Sequence, residues 1–240
     1  MHRREFLFAL GVGWLLPWNW FRPRVRLAEA RFREIKRGQD RRRYIWIHGD
    51  ERTAHDVLQK HMRTVDGRAF LVDNHRRNVL LEHGELDPNR MFSRVGAERS
   101  LRSLNPTWDD DRLRHALDRL DRDRPKFVDH ILPSPGGLLV ALHNNGPGYS
   151  VKDEVDISDA VAMNAPNDPD EFMLCTWRDD FERLSKGSYN VLLQDRAPKD
   201  DDGSLSRLCA ARGVRYVNIE AAHGNRARQQ EMLDWLEKTI

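Results

Sequence analysis

The chain has 240 residues, of which 39% are hydrophobic and 32% charged, a balance typical of a globular protein with a polar surface. The length suits one domain with a full core plus a tail. Residues 1–43 carry 12 Lys/Arg against 4 Asp/Glu, so the remainder has a net charge of −6. An acidic body argues against a nucleic-acid-binding protein, which would need a basic face.

The basic excess lies at the front of the chain. Arg3 and Arg4 precede a short, moderately apolar run that Pro17 interrupts. This pattern resembles a twin-arginine export signal, and the run is too short for a stable membrane span. The sequence Ala28-Glu29-Ala30 fits a small-x-small cleavage site. We therefore predict a signal segment over residues 1–30 and a periplasmic or otherwise exported protein that uses the twin-arginine machinery. The alternative is an amphipathic N-terminal helix with a chance pair of arginines.

Strands and helices alternate along the chain after a segment at 31–43 that is predicted to be a basic linker or first helix. Apolar runs bounded by turn residues predict strands at 44–48, 70–72, 79–81, 138–142, 172–175, 189–193 and 214–219. Apolar residues at helical spacing predict helices near 53–64, 108–121, 178–186, 203–212 and 226–239. This alternation predicts an α/β fold, with a mixed, mainly parallel sheet sandwiched between helices in a single domain.

Three of the predicted strands run into side chains that can bind a metal or carry a proton. The first is followed by His48, with Glu51 three residues later, and two later strands run into His143 and Glu220. Ligands of open α/β sheets bind beyond the carboxyl ends of the strands, so we expect these side chains to lie close together. Zinc hydrolases use three His or carboxylate ligands and leave a position for water. We expect His48, Glu51 and His143 to bind Zn²⁺ and Glu220 to take the proton of that water.

The run Asp87-Pro88-Asn89-Arg90-Met91-Phe92 lies between the first pair and His143. An Asn-Arg pair offers a bidentate anchor for a carboxylate together with an amide donor. With this run, residues 44 to about 224 resemble the zinc carboxypeptidase (funnelin) family and its succinylglutamate desuccinylase/aspartoacylase-like relatives. The resemblance implies a zinc carboxypeptidase-like fold, with residues 44–240 as the catalytic domain. It further implies that Asn89 and Arg90 hold the substrate's carboxylate or polarise its carbonyl, and that Glu220 also protonates the leaving amine.

Three features of that family have no fixed counterpart in the sequence. The second family arginine has no fixed place, with Arg76 and Arg77 as the possibilities. Tyr189 is the candidate for the family tyrosine, whereas Tyr216 lies too close to Glu220 on the same strand. Family members often carry Ser or Thr after the third ligand, where this chain has Asn144. This amide either contacts substrate or bonds within its own turn.

Residues 144–170 are rich in Asn, Gly, Asp and Pro and are predicted to form a long loop, which in a compact domain is usually functional. The two cysteines, Cys175 and Cys209, either pair in an oxidising compartment or are small buried apolar residues. They do not form a Cys-x-x-Cys motif.

The leading hypothesis is an exported zinc-dependent hydrolase of amide or peptide bonds, carboxypeptidase- or amidase-like, with cell-wall peptides as a natural substrate. One alternative is a zinc enzyme of the N-acetylmuramoyl-L-alanine amidase type, in which the ligating Glu lies well beyond the first His. A second alternative is a non-catalytic exported binding protein on a hydrolase scaffold, which the unplaced arginine and tyrosine motivate.

Overall fold

The computed structural model describes residues 24–146, 148–196 and 200–240. Arg3, Arg4 and the apolar run of the predicted export signal lie outside these residues. Across the described ranges, none of the helices combines the length and the hydropathy that a membrane span needs.

A nine-stranded sheet runs through the described part of the chain in the order β1-β2-β4-β3-β7-β11-β9-β10-β8. A separate two-stranded sheet joins β5 and β6. The strands are β1 Arg24–Leu27, β2 Ala30–Arg37, β3 Arg42–Trp46, β4 Gly67–Val72, β5 Val79–Leu81, β6 Gly84–Leu86, β7 Leu138–Asn145, β8 Ala160–Ala162, β9 Phe172–Cys175, β10 Asn190–Leu193 and β11 Tyr216–Ala222.

The centre of the large sheet is parallel. The strands β4, β3, β7 and β11 are neighbours that run in one direction, and β9 and β10 form a further parallel pair. The remaining four pairs of neighbours are antiparallel. All eight residues of β7 are buried, as expected for a central parallel strand that is covered on both faces. The predicted α/β fold with a mixed sheet is therefore confirmed, with parallel pairing concentrated at the centre.

Helices cover both faces of this sheet. They are α1 Arg52–His61, α2 Arg94–Leu104, α3 Asp110–Ile131, α4 Val151–Val155, α5 Arg178–Leu184, α6 Leu205–Arg212 and α7 Arg226–Thr239, and a 3-10 helix spans Pro88–Arg90.

The alternation of side chains along β3 shows which helices share a face. Tyr44 contacts His61 of α1 and hydrogen-bonds Glu237 of α7. The next residue, Ile45, points to the opposite face and pairs in register with Phe70, whose ring contacts His130 of α3. The sheet is thus sandwiched between α1 and α7 on one side and α3 on the other.

The segment 31–43, expected as a linker or first helix, forms most of β2 and the start of β3 instead. Its side chains alternate between buried and more exposed positions, with Ala30, Phe32 and Glu34 buried, so the arginines between them are the outward residues of a strand. The predicted cleavage motif lies in the turn between β1 and β2, where Ala28 has φ +50°. Cleavage there would detach β1 from the sheet.

Other differences concern elements that were missed or too short. The helix α2 was not predicted, and α3 continues ten residues past the predicted end at 121 because Phe127, Val128 and Ile131 extend its buried face. The predicted loop at 144–170 begins with the last residues of β7 and contains α4 and β8. The short elements α4 and β8 carry too little periodicity to be recognised in the sequence.

We predict that Leu139→Ala lowers the free energy of unfolding by about 2–5 kcal/mol, because it leaves a cavity in a strand packed on both faces. Leu139 is fully buried in β7, whereas Leu80 is 58% exposed. The measurement is urea unfolding of both variants. Leu80→Ala is the matched control and should change stability by less than about 0.5 kcal/mol. Equal effects of the two substitutions would contradict this packing.

Candidate metal centre

The first two predicted ligands lie in the turn from β3 into α1. His48 follows the strand by two residues, and Glu51 immediately precedes the helix without capping it through its side chain. The indole of Trp46 donates to the Glu51 carbonyl oxygen at 2.9 Å, which fixes the backbone of the turn. The carboxylate is therefore free to face His48, whose Nδ1 lies 2.7 Å from Glu51 Oε1.

His143 completes a cluster of three buried side chains. It lies near the end of β7, and its Nδ1 is 3.4 Å from Glu51 Oε1 and 3.1 Å from Glu51 Oε2. One ligand atom from each of the three residues lies within 4.8 Å of the other two. The three side chains are 3–5% exposed, so the cluster is closed off from bulk water. The sequence prediction that these residues converge is confirmed.

The second nitrogen of His48 is held by Asp87. His48 Nε2 and Asp87 Oδ1 are 2.8 Å apart, and the same carboxylate accepts the backbone N–H of Asn89 at the start of the 3-10 helix. A carboxylate on the outer nitrogen is the usual companion of a metal-binding histidine, because it fixes the ring and makes it a better ligand. This arrangement leaves Nδ1 of His48 as the atom that faces the cluster.

The cluster fits a divalent metal ion. Glu51 Oε2 is buried and has no hydrogen-bond partner, since its 3.1 Å approach to His143 Nδ1 lacks the geometry of a hydrogen bond. A buried carboxylate oxygen without a partner is costly unless a cation satisfies it. Two imidazole nitrogens and one carboxylate are also the ligand set that catalytic zinc prefers.

The charges in the cluster depend on one another. Burial by itself lowers the pKa of His48, but the carboxylates of Glu51 and Asp87 outweigh burial and raise it to about 9. Burial by itself raises the pKa of Glu51, but His143 and His48 lower it to about 2. His48 also holds the pKa of Asp87 well below its usual value, against the effect of burial. Near neutral pH, a metal ion must therefore displace a proton from His48 to bind.

Glu220 lies beside the cluster on the neighbouring strand. It is 6% exposed and pairs in register with His143 across β7 and β11. Burial raises the pKa of its carboxyl group to about 7, although His143 and a hydrogen bond from Asn218 oppose the shift. That hydrogen bond joins Asn218 Nδ2 to Glu220 Oε1 at 3.0 Å. A carboxyl group with a pKa near 7 can both accept and donate a proton at neutral pH.

Asn89 and Arg90 follow Asp87 in the 3-10 helix, and both side chains have partners within the protein. Asn89 Oδ1 accepts the backbone N–H of Leu205 at 3.1 Å, so this amide joins the 3-10 helix to the start of α6. Arg90 Nη1 lies 3.0 Å from Asp202 Oδ2, and its side chain is 37% exposed. Arg90 thus borders a cavity of about 410 Å³ that also touches Asp87.

Arg77, rather than Arg76, brings a second guanidinium to the centre. Arg77 Nη1 lies 3.4 Å from Glu51 Oε1, and its side chain is 52% exposed towards the same cavity. The backbone carbonyl of Arg76 accepts the N–H of Gly49, which holds the turn after β3. The sequence alone left both arginines open.

Asn144, which we expected to contact substrate, has partners within the protein. Because neighbouring residues of a strand face opposite sides, Asn144 points away from His143 and towards α1 and α7. Its Oδ1 accepts the N–H of Ala54 at 2.9 Å, and its Nδ2 donates to Gln229 Oε1 at 3.0 Å. Asn144 therefore ties the two helices to β7 from the face opposite the metal centre.

Tyr149, which no sequence pattern singled out, lies near Glu220. Its ring contacts Phe172, which pairs in register with Glu220, and its hydroxyl donates to Glu154. Burial and the nearby Glu220 raise the pKa of Tyr149 well above its usual value. The expected candidate, Tyr189, lies elsewhere and stacks with an arginine of α7. The position of Tyr149 in an irregular loop gave no signal in the sequence.

The two cysteines are free and buried. Burial raises the pKa of both Cys175 and Cys209 thiols well above the usual value, which keeps them protonated and unreactive. Their interpretation as small apolar residues of β9 and α6 is confirmed.

No protein-family model matches the chain, and no curated protein matches it. Among solved structures, the chain is similar to the product-bound ectoine utilization protein EutE (DoeB) from Ruegeria pomeroyi, with 16% identity and a TM-score of 0.44. It is also similar to succinylglutamate desuccinylase/aspartoacylase from Rhodobacter sphaeroides, with 12% identity and a TM-score of 0.43, and to a succinylglutamate desuccinylase from Silicibacter sp. TM1040, with 15% identity and a TM-score of 0.41.

These matches cover 86%, 87% and 86% of this chain but only 59%, 58% and 59% of the respective solved chains. The chain therefore spans less than two thirds of the length of these structures. Two of their descriptions name the desuccinylase group that the sequence resembles.

We predict that Asp87→Asn lowers the affinity for Zn²⁺ by about 10- to 100-fold, because His48 loses the carboxylate that orients it and raises its basicity. The asparagine keeps an oxygen for the backbone N–H of Asn89, so the 3-10 helix should remain. Competition with a chelating dye measures the affinity. Asp111→Asn, at a side chain that is 87% exposed, is the control for the change in charge. An affinity equal to that of the control would contradict the proposed role of Asp87.

Proposed function

We propose that this protein is a zinc-dependent hydrolase of amide or peptide bonds. One observation carries the proposal: the buried cluster of His48, Glu51 and His143 lies beside Glu220, a carboxyl group whose pKa of about 7 suits proton transfer. A purely structural zinc site usually has four protein ligands, whereas a catalytic site has three and a position for water. The three residues found here correspond to the catalytic arrangement.

In this proposal, His48 Nδ1, His143 Nδ1 and the Glu51 carboxylate hold the metal. When bound, the metal would supply Lewis acidity and a water molecule of lowered pKa. Glu220 in its carboxylate form takes the proton of the attacking water, and in its acid form it returns a proton to the leaving amine. Arg77, half exposed beside Glu51, is placed to stabilise negative charge on the carbonyl oxygen under attack.

The positions of the ligands favour this reading over the N-acetylmuramoyl-L-alanine amidase alternative. Glu51, three residues after His48, faces both histidines, so the short spacing itself delivers a ligand. The contact of Arg77 with Glu51 also supports a catalytic protein over a non-catalytic binding protein, because it brings a guanidinium to the cluster.

We predict that Glu220→Gln lowers kcat by about 10²- to 10⁴-fold while the protein still binds one zinc ion per chain, because the amide cannot accept the proton of water. Turnover is measured with N-acylated amino acids and cell-wall peptides after zinc loading. Zinc content is measured by mass spectrometry on the same samples.

Glu231→Gln, at a side chain that is 60% exposed, is the matched control and should retain full activity. Normal turnover by Glu220→Gln would refute the assigned role of Glu220. A protein that binds peptides without cleaving them, and that does not bind zinc, would support the binding-protein alternative.

We further propose that the protein is exported through the twin-arginine route and acts on cell-wall peptides. The support is the Arg3-Arg4 pair ahead of the apolar run, together with the proposed chemistry, which suits amide bonds. The twin-arginine route carries folded proteins, which fits a metalloenzyme loaded before export.

We predict that a reporter fused after residue 35 is exported, and that Arg3→Lys combined with Arg4→Lys retains it in the cytoplasm, because the export machinery reads the arginine pair. Cell fractionation measures the distribution of the reporter. A control with Arg22→Lys and Arg24→Lys changes two arginines outside the pair and should be exported normally. Export that is indifferent to the first pair would reject the twin-arginine route.

A further inference from the structure

Charged side chains of both signs line the cavity beside the metal centre. The cavity of about 410 Å³ beside the metal centre is lined by three arginines and two aspartates, Arg77, Arg90, Arg99, Asp87 and Asp202. Each aspartate has a partner, since Asp87 bonds His48 and Asp202 pairs with Arg90.

Arg99 is occupied as well, since it forms two contacts of 2.8 and 3.0 Å with Asp200. Arg90 differs from Arg99 because its pair with Asp202 uses only Nη1. Its remaining donors can face a ligand in the cavity.

Close packing of the backbone fixes the position of the segment that carries Asp202. A side chain at Gly203 would lie 2.5 Å from the Arg90 carbonyl oxygen, and a side chain at Gly96 would lie 2.3 Å from the Asp202 carbonyl oxygen. These contacts are possible only with glycine at both positions, and Gly203 also has φ +77°. The N–H of Phe92 donates to Gly203 O at 3.1 Å. The segment that carries Asp202 is thus packed against both Arg90 and α2.

The two oxygens of Asp202 have separate tasks. Oδ1 accepts the N–H of Ser204 at 2.9 Å and shapes the turn before α6, while Oδ2 accepts from Arg90 Nη1 at 3.0 Å. Both side chains of the pair are more than one third exposed, so a ligand in the cavity can reach them. An incoming carboxylate that takes Nη1 as one of its two donors needs the position that Asp202 Oδ2 holds, and one that binds through Nε and Nη2 still meets the negative charge of Asp202 on the same guanidinium.

We infer that Asp202 is a specificity-determining residue that competes with the carboxylate of a substrate for Arg90. It weakens the binding of ligands with a free carboxylate and acts through the guanidinium, without a role in the chemical step. The inference rests on the proposed function for the nature of the substrate, but the competition itself is a property of binding. It can therefore be measured in protein without metal and without turnover.

The test uses N-acetylglycine, which carries one amide and one carboxylate, as the probe. The probe is titrated into protein from which metal has been removed by chelation, and NMR chemical shifts report its binding. Asp202→Asn should bind this probe about two- to five-fold more tightly than the natural chain, the range that removal of an exposed ion pair supports. The asparagine retains an oxygen for the N–H of Ser204, so the turn should persist.

Asp201→Asn is the matched control. It makes the same change in charge one residue away, and its oxygen can still accept the N–H of Gly203 as Asp201 does at 2.9 Å. This variant should bind the probe like the natural chain. A gain equal to that of Asp202→Asn would mean that net charge alone is responsible and would overturn the inference.

A double-mutant cycle isolates the role of Arg90. The gain from Asp202→Asn should disappear in an Arg90→Ala background, whereas an effect on the fold of the loop would remain. Persistence of the gain without Arg90, or the absence of any gain with it, would overturn the inference. A chain that fails to bind zinc or to cleave amides would remove the proposed function but leave this binding result unchanged.

Discussion

The structure of the site depends on a carboxylate that is buried between two imidazoles. Glu51 is only 4% exposed, and removing a charged carboxylate from water is costly unless partners compensate for it. His48 and His143 provide that compensation, and Asp87 in turn supports His48. The four groups are linked in the order Asp87, His48, Glu51 and His143, and these contacts raise the pKa of His48 and lower the pKa of Glu51. A bound metal ion would take over this compensation in place of the proton on His48.

The parallel centre of the sheet brings these residues together. Because β3, β7 and β11 are adjacent and run in the same direction, the residues at their carboxyl ends meet at one edge. The alternation of side chains then separates the tasks of neighbouring residues. His143 faces the metal centre, whereas Asn144 bonds α1 and α7 on the other side. The rigid strand therefore couples the position of a ligand to the packing of two helices.

The rest of the site comes from segments that the sheet does not organise. The 3-10 helix with Asn89 and Arg90 packs on the segment before α6 through backbone contacts that require glycine at positions 96 and 203. This junction places an acidic side chain, Asp202, beside Arg90, one of the arginines that line the cavity. The metal centre is thus defined by strands, and the charge that a substrate meets is set by loops.

The sequence by itself determined the α/β class, most strands and helices, and the convergence of His48, Glu51 and His143. These features follow from local patterns, since apolar runs mark the strands and the residue after a strand is fixed at the sheet edge. The strand β2 was misread because most of its outward positions carry arginine or lysine, and a basic strand at the outer side of a sheet resembles a linker.

Only the tertiary structure decided which of the remaining residues reach the centre. Asp87, Arg77 and Tyr149 approach it from separate segments, and no spacing in the chain reports distances across a fold. The same holds for Asn144, whose role depends on which face of β7 the helices cover. The sequence therefore specifies the ligands that strands deliver, whereas contacts between distant segments specify the residues that orient those ligands and surround the cavity.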